Sequence, residues 1–222
     1  MTYTGDVKPG GSPDTRELTH LTITKLAVDE KMSNNCYLLT CRDTGESVLI
    51  DAADDAATLL RLCDATLEGV ITTHQHWDHH RGLAEVVEAT GATTYAGDPD
   101  ADAITEQTGV AVDARLRDGD RIPVGDQVLE VVAIAGHTPG SVALLYDDPD
   151  GVPHLFTGDS LFPGGVGATF GDAEAFRTLI DEVETKVFGR LPDDTLFYPG
   201  HGNDGRLGDE RPHLAEWRDR GW

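Results

Sequence analysis

The segment spanning residues 71–80 most constrains what this chain can form, because half of its side chains can bind a metal ion. These are His74, His76, Asp78, His79 and His80. An apolar run beginning at Leu67 leads directly into them, as is typical of a buried strand that ends in a loop. Side chains alternate along an extended segment, so the first three share one side while His79 points away. One loop can thus supply two neighbouring metal positions. His80 lies beyond the pattern, and we expect it to open the next helix.

Length and composition indicate one domain. The chain has 222 residues, of which 39% are apolar, enough for one substantial core. Residues 1–16 are polar and are expected to form a loose arm, with residues 17–222 as the folded domain. No apolar run approaches the roughly 20 residues of a membrane span, and a signal-peptide core is lacking, so we expect a cytoplasmic protein without membrane association. The cysteines, Cys36, Cys41 and Cys63, are predicted to be buried, reduced thiols.

The charge balance excludes one class of partner. Forty acidic residues against seventeen basic ones give a formal net charge of −23, and the acids are scattered along the chain. A dispersed anionic surface repels nucleic acid, so we expect no nucleic-acid partner. Such a surface also destabilises the folded state unless salt screens it. We infer a halophilic protein from a high-salt cytoplasm.

Apolar strands and helices alternate along the rest of the chain. The runs 36–39 and 47–50 predict a hairpin that turns at 43–45. Helices are predicted over 51–63, 81–89, 101–107 and 173–187, and further strands over 93–96, 128–134, 142–146, 154–157 and 195–198.

Three more of these strands end in a turn that carries a histidine or an aspartate. The turns are Gly136-His137-Thr138-Pro139-Gly140, Gly158-Asp159-Ser160 and Pro199-Gly200-His201. Each turn alone is a weak signal, since a histidine after a strand is commonly a surface residue. Turns do not require histidine, so four such strand ends in one chain favour a shared metal site.

Together these motifs resemble the metallo-β-lactamase superfamily of hydrolases. The resemblance implies an α+β fold, a four-layer αββα sandwich of two β-sheets with helices outside. It also implies two metal ions at one edge, Zn²⁺ or, at one or both positions, Fe or Mn. His74, His76 and His137 would hold the first ion, and Asp78, His79 and His201 the second, with Asp159 bridging them. Asp78 would also act in catalysis, by orienting the nucleophile or accepting its proton.

Within the superfamily, the motifs are most similar to short-form glyoxalase-II-like enzymes. Trp77 and the pair Leu161-Phe162 fit that group. The resemblance implies a metal-dependent hydrolase that cleaves a small-molecule acyl thioester with a metal-bridging hydroxide. Glutathione-using relatives carry a basic residue and an aromatic pair where this chain has Ala168, Thr169 and Phe170. The segment after His201 is also too short for the helical domain of long relatives, so glutathione is not favoured as the carrier thiol.

Other functions remain open. An iron-dependent persulfide dioxygenase keeps the same motif residues, and a lactonase is a third alternative. A non-catalytic scaffold on a decayed hydrolase fold is disfavoured, because all seven candidate ligands are retained. The sequence determines neither the acyl group, nor the substrate-binding residues, nor the oligomeric state.

Overall fold

Within residues 2–63 and 67–221, which the computed structural model describes, seven strands form the first sheet. They are β1 (Asp14–Glu17), β2 (Leu21–Val28), β3 (Asn34–Cys41), β4 (Ser47–Ile50), β5 (Leu67–Thr72), β6 (Thr93–Gly97) and β7 (Ala114–Leu116). They lie side by side in chain order. β1 to β4 pair antiparallel, and β4 to β7 pair parallel.

Six further strands of the described chain form the second sheet. They are β8 (Arg121–Val124), β9 (Gln127–Ala133), β10 (Val142–Tyr146), β11 (His154–Gly158), β14 (Leu196–Pro199) and β15 (Gly205–Arg206). Their order is β15-β14-β11-β10-β9-β8, and only β11 and β14 among them pair parallel. The short strands β12 (Leu161–Phe162) and β13 (Gly165–Val166) form a separate ribbon.

Helices cover the outer faces of both sheets. They are α1 (Ala56–Leu62), α2 (Leu83–Thr90), α3 (Ala101–Thr108), α4 (Ala173–Glu182), α5 (Leu207–Glu210) and α6 (Leu214–Arg220). α4 continues as a π-helical segment over Val183–Phe188, and 3₁₀ turns occur at Trp77–His79 and Arg211–His213. Among the described residues, no helix combines the length and the apolarity needed to cross a bilayer.

The core consists of three apolar layers, which confirms the expected αββα sandwich. Strand alternation separates them: Ile23 of β2 points between the sheets, whereas Leu26 points towards the helices. One outer layer joins the first sheet to α1, α2 and α3, and the other joins the second sheet to α4 and α6, where Trp217 is buried. Both sheets are therefore covered on both faces, as one domain requires.

The N-terminal segment differs from the loose arm that its composition predicts. Residues 14–17 form β1, and the Asp14 carboxylate accepts hydrogen bonds from the backbone of Thr4 and Gly5. The Tyr3 hydroxyl donates to Asp204 at 2.6 Å, and the buried Lys25 ammonium donates to Gly5 O and to Asp204. These tertiary partners hold a polar segment that has no apolar pattern of its own.

Most predicted elements are present, and the start of α1 is shifted furthest from its predicted position. The hairpin of β3 and β4 is formed as expected, and Cys36 and Cys41 are free thiols within β3. The helix predicted from residue 51 starts only at Ala56. Asp51 has a φ of 59° and Asp55 a φ of 44°, and the Asp55 side chain caps the helix by accepting from Thr58 N. Residues 51–55 are therefore a loop, which leaves Asp51 available to the site.

Candidate metal centre

The predicted ligands all lie just beyond the carboxyl ends of strands. His74 and His76 follow β5, Asp78 and His79 lie in the next 3₁₀ turn, and His137, Asp159 and His201 follow β9, β11 and β14. β9, β11 and β14 run in the same direction, so their ends meet at one edge of the sandwich. The structure brings all seven side chains together there.

The side chains form three overlapping groups, in each of which the donor atoms lie within 4.8 Å of one another. The groups are His74-His76-His137, His74-His79-Asp159 and Asp78-His79-His201. The first and third are the sets expected for two separate ions. The second connects them through Asp159.

Asp159 lies between the two sets. Its Oδ1 is 3.5 Å from His79 Nε2, and its Oδ2 is 3.5 Å from His201 Nε2 and 3.7 Å from His137 Nε2. Gly200 permits this approach, since a Cβ there would collide with the Asp159 carboxylate and the His79 ring. A single carboxylate therefore faces histidines of both groups, the position expected of a bridging ligand.

Backbone acceptors fix the orientation of two imidazoles. His137 Nδ1 donates to Ala168 O at 2.7 Å, and His201 Nδ1 donates to Met32 O at 2.9 Å. A carbonyl oxygen can only accept, so each Nδ1 carries a proton, and in the neutral form of the ring Nε2 presents a lone pair to the cluster. Such hydrogen bonds behind a ligand orient it and raise its basicity.

Asp51 performs the same task for two other rings. Its Oδ2 accepts from His79 Nδ1 and from the Thr73 hydroxyl, both at 2.8 Å. The Thr73 hydroxyl donates its single hydrogen to Asp51, so its oxygen is the acceptor for His74 Nδ1 at 3.0 Å. The Nε2 atoms of His74 and His79 are thereby left free to bind a metal.

Protonation in the metal-free protein divides the histidines into two classes. Burial lowers the pKa of His74, His76 and His137, so these rings are neutral at pH 7. Burial also disfavours the charged form of His79 and His201, but neighbouring carboxylates outweigh it. They raise the pKa of His79 to about 10 and that of His201 to about 9. Excess negative charge at the second group is thus balanced by protons, which a divalent cation can replace.

Unsatisfied buried atoms indicate that the cluster fits a metal ion. His137 Nε2 and Asp159 Oδ1 are buried without a hydrogen-bond partner. His79 Nε2 and His201 Nε2 face each other at 3.2 Å, as do His74 Nε2 and His76 Nδ1 at 3.1 Å. Buried polar atoms are rarely left unpaired, and imidazole with carboxylate suits Zn²⁺ or Fe²⁺. The residues present therefore fit a pair of divalent ions.

Asn34 was not identified from sequence, yet it positions Asp78. Its Nδ2 donates to Asp78 Oδ2 at 3.0 Å. Burial alone would raise the pKa of Asp78, but hydrogen bonds from His201 and Asn34 hold it below its ordinary value. Asp78 is thus a carboxylate at neutral pH. Its low basicity favours orienting a nucleophile over accepting a proton from it.

Asp100 is a second positioning residue that the sequence did not reveal. Its side chain is fully buried, and Oδ2 accepts from Gln75 N at 2.9 Å and from the Thr138 hydroxyl at 2.6 Å. Its Oδ1 accepts from Gly140 N at 2.8 Å. One carboxylate therefore joins the loop of His74 and His76 to the loop of His137.

His80 lies outside the ligand cluster. It does not open α2 as predicted, since that helix begins at Leu83. The ring is buried, and its Nε2 lies 3.2 Å from Gln75 O, behind the ligand loop. A structural role for His80 follows from these contacts.

The pattern of the Metallo-beta-lactamase superfamily matches residues 30–201, a range that includes every candidate ligand. The chain belongs to this superfamily. Over 170 residues it is 38% identical to a hydroxyacylglutathione hydrolase from Polaromonas sp., covering 74% of this chain and 60% of that enzyme. It is 34% identical over 173 residues to the mitochondrial persulfide dioxygenase ETHE1 of Homo sapiens, covering 76% of this chain and 64% of that protein.

A solved structure of similar size is also similar to this chain. TTHA1623, determined in a di-iron-bound form, is 30% identical and superposes with a TM-score of 0.68, covering 84% of this chain and 96% of that one. The chain spans less than two thirds of the length of the two curated relatives just described. The shared region therefore establishes the fold and the superfamily.

Proposed function

We propose that this protein hydrolyses small acyl thioesters with two divalent metal ions, Zn²⁺ in the first instance. The observation that carries the proposal is Asp159, which faces histidines of both donor groups at 3.5–3.7 Å. His74, His76 and His137 would hold one ion, and Asp78, His79 and His201 the other. The ions would supply a water of lowered pKa and polarise the substrate carbonyl.

Asp78 orients the attacking water. Asn34 Nδ2 donates to its carboxylate and so favours the ionised form, which accepts a hydrogen bond from water at neutral pH. Asn34 opens β3, a buried strand, and therefore places this acceptor rigidly. Asp78 therefore orients the water and does not act as a base.

The surroundings of the cluster favour a thiolate leaving group. A thiol has a pKa of about 8.5, so a thiolate leaves near neutral pH without being protonated, whereas an amide nitrogen requires a proton donor. The titratable groups described next to the ligands, Asp51, Asp100 and His80, are buried behind them and already hydrogen-bonded. None of these three is placed to protonate an amine. We therefore expect turnover to fall in the order thioester, lactone, β-lactam.

A persulfide dioxygenase is the second candidate, and two observations favour it. The group His74-His79-Asp159 is the two-histidine, one-carboxylate set typical of non-haem iron enzymes. The similarity to the dioxygenase of Homo sapiens, at 34% identity, supports the same alternative.

One pair of assays distinguishes the candidates. The wild-type protein is given lactoyl thioesters of several thiols, and O₂ uptake is followed separately with glutathione persulfide. We expect thioester cleavage, loss of it in Asp78→Asn, and retention of it in the control Asp219→Asn on α6, which removes an equal charge from an exposed site. Rapid O₂ uptake without thioester cleavage would establish the dioxygenase instead.

A further inference from the structure

Three large apolar side chains are exposed in the described part of the chain, and each belongs to a loop that carries or contacts candidate ligands. Met32, Trp77 and Phe170 are 43%, 54% and 79% exposed. Trp77 lies between the candidate ligands His76 and Asp78 in the 3₁₀ turn. We call these three side chains the apolar rim.

The other two members belong to residues that contact ligands, Met32 through its backbone and Phe170 through its ring. The Met32 carbonyl accepts from His201 Nδ1 at 2.9 Å. The Phe170 ring centroid lies 5.8 Å from that of His76 and 6.1 Å from that of His137. The rim thus comes from three loops and borders both donor groups. An apolar surface confined to one functional site marks a binding surface.

Both the exposure and the backbone conformation of Phe170 are energetically unfavourable. Its side chain is largely in water, and its φ of 55° is in the left-handed region that non-glycine residues seldom adopt. Strained backbone of this kind persists where the surrounding structure over-determines it, and it concentrates at ligand sites. Its ring contacts His76 and His137, so the strained residue lies next to the candidate metal centre.

Two residues beside the apolar rim supply no free positive charge. The Arg81 guanidinium lies 4.7 Å from the Trp77 ring centroid, but it is paired with Asp29 and Asp54. Ala168 has no charged group and offers its carbonyl to His137.

We propose that the substrate is a thioester with an apolar group of several carbon atoms, and that the apolar rim binds this group. The inference rests on the proposed hydrolase function, because hydrolysis requires the reacting carbonyl to reach the metal centre. The apolar group of the substrate would then remain at the entrance to that centre. Full burial of one methylene contributes about 0.8 kcal/mol, which corresponds to a roughly fourfold increase in kcat/KM. Because the rim is half open, we expect a hexyl group to raise kcat/KM on the order of 10-fold.

The test uses two isomers that place the same hexyl group on opposite sides of the thioester. S-hexyl thioacetate carries it on the thiol and S-methyl thioheptanoate on the acyl side, and S-methyl thioacetate is the short reference. We expect kcat/KM for one isomer to exceed that of the reference by about 10-fold, which also identifies the side. Met32→Ala and Phe170→Ala should remove most of this preference, measured as the ratio of kcat/KM between the hexyl isomer and the reference in the same variant. Lys31→Ala, which alters an exposed neighbour of Met32, should retain the preference.

A binding measurement separates this inference from the proposed function. Calorimetry with S-hexyl-N-acetylcysteamine, a hexyl thioether that has a neutral head group and no thioester bond to cleave, requires no turnover. Binding that weakens in Phe170→Ala while no thioester is cleaved would refute hydrolysis and support the apolar rim. Preference for lactoylglutathione over both isomers, or a chain-length preference that survives Phe170→Ala, would overturn the inference.

Discussion

Replacing Asp100 by asparagine tests how the two ligand loops are held together. The buried carboxylate accepts three hydrogen bonds, from Gln75 N, the Thr138 hydroxyl and Gly140 N, at 2.6–2.9 Å. An amide has one acceptor oxygen, so whichever way it turns, at least one of these donors faces an NH₂ group. Hydrogen bonds to a charged group contribute about 1.5–3 kcal/mol, and an unpaired buried donor costs a similar amount.

We therefore expect Asp100→Asn to lower the free energy of unfolding by about 2–4 kcal/mol, with the fold retained because the two side chains have nearly the same shape. The loops it joins carry His76 and His137, so affinity for the first metal should fall about 10–100-fold. Denaturant titration of the metal-free protein measures the first effect, and competition with a chelator measures the second.

The matched control is Asp102→Asn, which removes the same charge two residues away. That side chain is 83% exposed and pairs with Arg115 on the surface, so its loss should change neither quantity appreciably. If Asp100→Asn had the denaturation midpoint and metal affinity of Asp102→Asn, the proposed role of Asp100 in joining the loops would be wrong.

Three further outcomes are expected. His80→Ala should retain turnover, because its ring contacts Gln75 O and lies outside the ligand groups; loss of metal from this variant would contradict that placement. The melting temperature should rise markedly from about 0.1 M to about 1 M salt as like charges are screened, and an unchanged value would refute the halophilic interpretation. In the metal-free protein, the raised pKa values of His79 and His201, about 10 and about 9, stabilise the fold below the unfolded value of about 6.5, and this contribution is lost as pH rises through the folded values. Metal binding near neutral pH should accordingly release protons, detectable as a buffer-dependent calorimetric enthalpy; a buffer-independent enthalpy would argue against protonated His79 and His201.

The strand-end pattern predicted which side chains the structure brings together, because it depends on local order in the chain. A strand followed by His or Asp beside glycine is visible in sequence, and His137, Asp159 and His201 were found in this way. Asp51 could have been recognised from the same pattern, since it follows β4 directly, but its apolar neighbours suggested a helix. Its left-handed backbone is what ends the strand.

Asn34 and Asp100 could not have been found without the fold. Asn34 opens β3 but donates to Asp78, which follows β5. Asp100 precedes α3 but accepts from Gly140, which follows β9 of the other sheet. Neither lies in a motif, and each acts on residues far away in the chain. The short edge strands β7 and β8 were also missed, because three or four residues carry too little alternation to be recognised.

The metal content of the protein, purified without added metal and without chelator, tests the central claim most directly. With Asp159 facing both donor groups, we predict close to two divalent ions per chain in the wild type and clearly fewer in Asp159→Ala. A single iron per chain, or no bound metal in a folded wild-type protein, would contradict the binuclear centre.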